Sequence, residues 1–217
     1  GVSFLPTGAT LVDIGSIDIS AVKNKLSNIP ITIMCDIDNP LYGPKGAAYV
    51  FAPQKGATPQ ELPMLDEGLK HLADVIEQDL GLSVAQLPGT GAAGGMGAGA
   101  VAFLGGELTP GIEAVLNVVN FNELLEGTDI VFTGEGCFDS QSLMGKVISG
   151  ILKRTYAKNI PVIAVVGGIK ELPEDAYSKG LKAIFSINQL PQALEEAAPH
   201  SKENLARTMD NILRLML

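Results

Sequence analysis

DIVFTGEGCFDSQSLMGKVISGILKRTYAKNIPVIAVVGG, residues 129–168, decides the fold. Its opening Asp129 to Thr133 is an apolar, β-branched run of strand length. Ser140 to Ala157 carries the spacing of a helix, and Pro161 to Val166 is a second apolar strand. The same alternation continues downstream, with a helix expected over Pro173 to Lys179, a strand over Ala183 to Ile187 and a helix over Lys202 to Met216. Strands alternating with helices specify an α/β fold in which a parallel sheet is built by right-handed crossovers.

Upstream the pattern is less regular. Ile29 to Cys35 predicts a strand, and a loop rich in Asp, Asn, Gly and Pro follows it through Gly46. Ala47 to Phe51 predicts a short helix closed by Pro53-Gln54-Lys55-Gly56. Pro59 to Leu80 predicts a long helix, with Leu62, Leu65, Leu69, Leu72, Ile76 and Leu80 at helical spacing and Gly81 as its stop. A Gly/Ala-rich loop from Gly89 to Gly99 leads into helix through Phe103. Helices are expected over Pro110 to Val118 and Asn122 to Leu125. The change of pattern sets a domain boundary near Glu126-Gly127, and no internal repeat is visible.

Composition removes several functions. Of 217 residues, 46% are hydrophobic and 18% charged, which excludes global disorder. Net charge is -9, with 15 basic residues and no basic stripe, so a nucleic-acid partner is excluded. Phosphates remain open, because backbone amides and a few placed lysines suffice to bind them. Cys35 and Cys137 form no CxxC pair and read as free thiols of a reducing, cytoplasmic compartment. His71 and His200 are too scattered for a metal site. No stretch reaches the roughly 18 apolar residues of a membrane span, so no membrane partner is expected. The start, Gly1-Val2-Ser3-Phe4-Leu5, reads as the interior of a longer protein.

Four motifs carry candidate chemistry. Gly89-Thr90-Gly91-Ala92-Ala93-Gly94 spells GxGxxG, but Pro88 abuts it and no second strand follows before Glu107, so a dinucleotide site is not supported. Tight helix packing and an anion-cradling loop both remain open. Gly145-Lys146 resembles a P-loop, yet Ser140 and Val147 stand where Gly and Ser or Thr are needed. Cys35-Asp36-Ile37-Asp38-Asn39 places two carboxylates and an amide at a strand's C-terminal end, where open α/β sheets bind ligands. Such acids suit Mg²⁺, and an Asp/Asn turn is the alternative. Finally, Thr133-Gly134-Glu135-Gly136-Cys137-Phe138-Asp139-Ser140-Gln141-Ser142 leaves a strand and enters a helix, so its amides could meet an anion. Capping by Asp139 is the simpler account of that residue.

Jointly these segments resemble the bacterial type 1 glycerate kinase family. The resemblance rests on Cys35 to Leu41, Gly43 to Ala47, Val50 to Ala57, Gly89 to Gly97, Thr133 to Gly136, Asp139 to Ser142 and Gly145-Lys146. It implies two α/β domains: a glycerate-kinase-type inserted domain over residues 1–126, then the C-terminal half of a flavodoxin-like parallel-sheet domain over residues 127–217. It also implies ATP-dependent, Mg²⁺-assisted phosphorylation of glycerate, with 2-phosphoglycerate the favoured product. Two departures stand out: Cys137 replaces a usual Arg, and the family's N-terminal region is absent. An isolated chain without activity is one outcome this leaves open, as is a homo-oligomer.

Phosphoryl transfer is mostly positioning and charge stabilisation. Asp36 and Asp38 are therefore expected to hold metal or the substrate hydroxyl, and Glu135 and Asp139 to supply the opposing acids. Lys55 and Lys146 are expected to meet phosphate, with Asn39, Gly91, Gly94, Gly134 and Gln141 lining the substrate and phosphate site. The alternative is a haloacid-dehalogenase-like phosphatase acting on a small phosphoester. That pattern also has an apolar strand running into DxD, but Gly167-Gly168-Ile169-Lys170 stands where its paired acids belong.

Overall fold

A computed structural model describes residues 4–188 and 190–216. The chain is a mixed helix and parallel-sheet α/β protein in two compact units, Gly1–Gly111 and Ile112–Leu217.

The first unit runs α1 (Ser20–Leu26), β1 (Thr32–Met34), α2 (Ala47–Phe51), α3 (Leu62–Leu80), α4 (Ala92–Leu104) and β2 (Glu107–Thr109). β1 and β2 pair in parallel, with Ile33 opposite Leu108. The expected strand over Ile29 to Cys35 shortens to three residues, since its one ladder neighbour, β2, is equally short. The core is helical: Leu69, Ala73 and Ile76 of α3 pack with Ala47 and Ala48 of α2, Ala98 and Ala102 of α4, Leu41 and Val84. α3 starts at Leu62 rather than Pro59, because Glu61 draws Thr58 into a turn, accepting from its N–H at 2.7 Å and its hydroxyl at 2.8 Å. His71 Nε2 donates to the Ile14 carbonyl at 2.9 Å, a tether for the segment ahead of α1 rather than a ligand.

The second unit begins within α5 (Gly111–Val118) and continues through α6 (Phe121–Leu124), β3 (Val131–Thr133), β4 (Cys137–Phe138) and α7 (Val147–Tyr156). β5 (Val162–Val166), β6 (Gly168–Ile169), β7 (Leu181–Ser186), α8 (Leu194–Ala197) and α9 (Ser201–Met216) follow. β3, β5 and β7 form a parallel sheet in that order, and β4 pairs with β6 beside it. β5 is buried at every residue. Val162, Ala164 and Val166 pack with Ile148 and Leu152 of α7, whereas Ile163 and Val165 pack with Ile212 of α9. A strand covered on both faces has no polar side, which is why its sequence is continuously apolar.

Three expectations change. The units divide at Gly111, ahead of Glu126-Gly127, because α5 docks on α7: Glu113 pairs with Arg154, and a Cβ on Gly150 would stand 2.4 Å from Ile112. The helix expected over Ser140 to Ala157 breaks into a 3₁₀ turn, Ser140–Leu143, and then α7, since Gly145 adopts φ 76° between them. The helix expected over Pro173 to Lys179 is instead a run of turns over 174–180. Pro173 and Gly180 bracket too few residues to propagate a helix.

Candidate functional site

In the first unit the strand-end loop and the glycine-rich segment are in contact. Cys35 extends the β1–β2 ladder by donating to Thr109 O at 2.9 Å. The next residue, Asp36, is exposed, and its Oδ1 accepts the Gly111 N–H at 2.8 Å. Asp38 is exposed on the same loop. Asn39 holds the loop closed: its Nδ2 donates to Lys45 O at 2.8 Å and its carbonyl accepts from Gly91 N at 3.0 Å. Turn formation thus accounts for Asn39.

Gly91 and Gly94 have different jobs. A Cβ on Gly91 would come within 2.3 Å of the Pro40 carbonyl oxygen, so its glycine permits close backbone packing. Gly94 lies in a left-handed run with Ala93 and Gly95 (φ 53°, 81° and 103°), which turns the chain before α4 continues. Lys55 closes a 3₁₀ turn, Pro53–Lys55, and its Nζ lies 3.5 Å from where a Gly94 Cβ would stand. Lys55 and Gly94 share a cleft of ≈ 290 Å³ whose other walls include Leu11, Phe51, Leu65 and Leu69. A single cation at the rim of an apolar cleft suits an anion that carries an apolar group.

In the second unit the candidates gather at the carboxyl edge of the parallel sheet, where α/β folds bind ligands. A Cβ on Gly134 would stand 2.3 Å from Val165 O, so backbone packing accounts for it. Glu135 is half-buried; its carbonyl accepts from Gly167 N at 3.0 Å, and its Oε1 is buried without a hydrogen-bond partner among the described residues. Asp139 Oδ1 accepts the Gln141 N–H at 2.9 Å, and the Asp139 N–H reaches Ser142 Oγ at 3.0 Å, a reciprocal cap on the 3₁₀ turn. Lys146 Nζ donates to Gln141 Oε1 at 2.9 Å, and both side chains are exposed. The structure therefore brings Gln141 and Lys146 together and gives Asp139 a capping partner instead. Cys137 is exposed on β4.

Sequence reading passed over Ser186 and Asn188 at the end of β7. Asn188 Nδ2 and Ser186 Oγ both donate to Gly167 O, at 2.7 and 3.2 Å. The available signal was position alone, polar residues just past a parallel strand.

No group of three or more His, Cys, Asp or Glu residues able to hold a metal occurs among the described residues. No helix among them is long and apolar enough to cross a membrane.

The family model described as the glycerate kinase family matches residues 1–217. A glycerate kinase of Bacillus cereus is 45% identical over 95% of this chain and 54% of its own length. The glycerate 2-kinase of Escherichia coli K12 is 40% identical over 94% of this chain and 54% of its own length. A crystal structure assigned as glycerate kinase 2 from Salmonella typhimurium LT2 superposes with a TM-score of 0.81 at 40% identity, covering 96% of this chain and 54% of that one. The chain thus spans about half the length of the curated relatives it matches. The family match leaves the phosphatase alternative without support. By its full-length family match and by these identities across nearly all its residues, the chain belongs to the glycerate kinase family.

Proposed function

We propose that the protein carrying this chain transfers the γ-phosphoryl group of ATP to glycerate, with 2-phosphoglycerate the favoured product. The observation that carries this reading is the 40% identity to a glycerate 2-kinase across 94% of the chain. The residues fit the chemistry. Lys55 beside Gly94 in the first unit, and Lys146 beside Gln141 in the second, are exposed cations available to phosphate oxygens. Glu135 is the remaining acid of the second unit's edge without a hydrogen-bonded partner on Oε1, and it is the better candidate to accept a hydroxyl proton.

The donor set also fits Mg²⁺, which takes one or two carboxylates and leaves its other positions to water and phosphate. Asp36, with one oxygen on Gly111, and the exposed Asp38 would hold it. When bound it supplies neutralisation of phosphate charge. On this reading the first unit corresponds to the family's inserted domain and the second to the C-terminal part of the flavodoxin-like domain. A cytoplasmic location accords with the free thiols Cys35 and Cys137.

Incubating the intact protein with ATP, Mg²⁺ and glycerate should release ADP, and NMR of the product should place the phosphate on the 2-hydroxyl. Phosphate released from phosphoesters without nucleotide would overturn the proposal.

A further inference from the structure

Two buried acceptors lie past the ends of parallel strands in the second unit, Glu135 Oε1 beyond β3 and Asn188 Oδ1 beyond β7, and neither has a hydrogen-bond partner among the described residues. Both residues bracket Gly167, the residue after β5. Gly167 N donates to Glu135 O at 3.0 Å, and Gly167 O accepts from Asn188 Nδ2 at 2.7 Å. That second bond settles the orientation of the amide, because turning it over would set Oδ1 against a carbonyl oxygen. Ser186 Oγ reinforces the arrangement, donating to Gly167 O at 3.2 Å and accepting from Asn188 N at 3.2 Å. Asn188 is thus held by two groups, the Gly167 carbonyl and the Ser186 hydroxyl, with its acceptor left over.

Unmatched buried acceptors are costly, so each calls for a donor. A carboxylate or a fully ionised phosphate brings further acceptors and cannot serve. A hydroxyl brings a proton. We infer that Glu135 and Asn188 form a hydroxyl-recognition pair, accepting hydrogen bonds from the hydroxyl groups of the hydroxy-acid substrate. The inference rests on the kinase reading for the identity of that substrate, and it adds Asn188 as a binding residue. It also separates the labour along this edge. The acceptor pair around Gly167 takes the hydroxyl-bearing end, while Lys146 with Gln141 is left for phosphate.

Calorimetric titration of the intact protein with glycerate and, separately, with ADP tests this. Asn188→Ala should weaken glycerate binding by about tenfold or more while ADP affinity stays within about twofold. Wild-type glycerate affinity in Asn188→Ala would overturn the inference, leaving Oδ1 to a bound water only. Weakened ADP binding with glycerate unchanged would overturn it too, by assigning the donors to ribose. Should the variant fail to fold, the wild-type protein answers through its ligands. Lactate and 3-hydroxypropionate, each lacking one hydroxyl, should bind about tenfold more weakly than glycerate, and propionate more weakly still. Equal affinity for propionate would overturn the pair. ADP release from ATP and glycerate is measured alongside. ADP release with an indifferent Asn188 sinks this inference alone; Asn188-dependent glycerate binding without ADP release sinks the kinase reading alone.

Discussion

Asp36 Oδ1 accepts the backbone N–H of Gly111 at 2.8 Å, across 75 positions of sequence. One oxygen of the acid nearest the end of β1 is therefore engaged in holding the backbone after β2. A side chain with a structural bond and a proposed role at magnesium or substrate can be dissected by keeping one and removing the other.

Asp36→Asn keeps an acceptor for Gly111 and should leave the melting temperature near that of wild type. Asp36→Ala loses it and should cost about 1–2 kcal/mol in denaturant unfolding. Both should abolish most ATP-dependent turnover of glycerate. Wild-type turnover in the Asn variant would remove Asp36 from the site.

Gly91→Ala should destabilise the fold by about 1–3 kcal/mol, because its Cβ would stand 2.3 Å from the Pro40 oxygen. Lys55→Met should scarcely change stability, since Lys55 is exposed. It should instead weaken ADP binding about tenfold and flatten its salt dependence. Unfolding curves and calorimetric titration at two ionic strengths separate the two effects. Nucleotide binding indifferent to Lys55 would leave its cleft without an anion.

Glu113 provides a pH test of the α5–α7 contact. Its hydrogen bond from Arg154, helped by Lys153, holds its carboxyl below the ordinary value of 4.5 against opposition from burial. A lowered folded pKa means the stabilisation is complete above the ordinary value and is lost as pH falls through the lowered one. Glu113→Gln should therefore be less stable than wild type at pH 7 by about 1 kcal/mol, a figure discounted for partial exposure. The difference should shrink in acid. A gap that persists below both pKa values would show that shape, rather than charge, sustains the contact.

Hydrogen exchange should rank the strands by their cover. β5 lies between β3 and β7 and is buried at all five residues, so its amides should exchange slowest. β1 has one ladder neighbour and two exposed residues of three, and it should open faster. Faster exchange in β5 than in β1 would contradict the layered packing of the second unit.

Much of the architecture was legible because it is written in near neighbours. Val162–Val166 reads as a strand from its unbroken β-rich run between Pro161 and Gly167, and α3 from leucines returning every three or four residues. Errors fell where a local rule competed with another. Gly145 interrupts an otherwise acceptable helix through its positive φ, and Glu61 holds Thr58 in a turn where the long helix was expected to have begun. Of the candidates that the sequence singled out one by one, the structure sets Lys55 beside Gly94 and Gln141 beside Lys146, and their roles stand as proposals.

The sequence by itself determined the α/β alternation of the second half, the apolar strand ending at Val166 and membership of the glycerate kinase family. Each depends on residue order or on periodicities of two and 3.6, which any stretch displays without its partners. Only the tertiary structure decided that Asp36 bonds Gly111, that α5 joins the second unit through Glu113 and Arg154, and that Glu135 and Asn188 flank Gly167 with acceptors to spare. These relationships join positions distant in sequence, and they exist only once the parallel strands have set the register in which each loop ends.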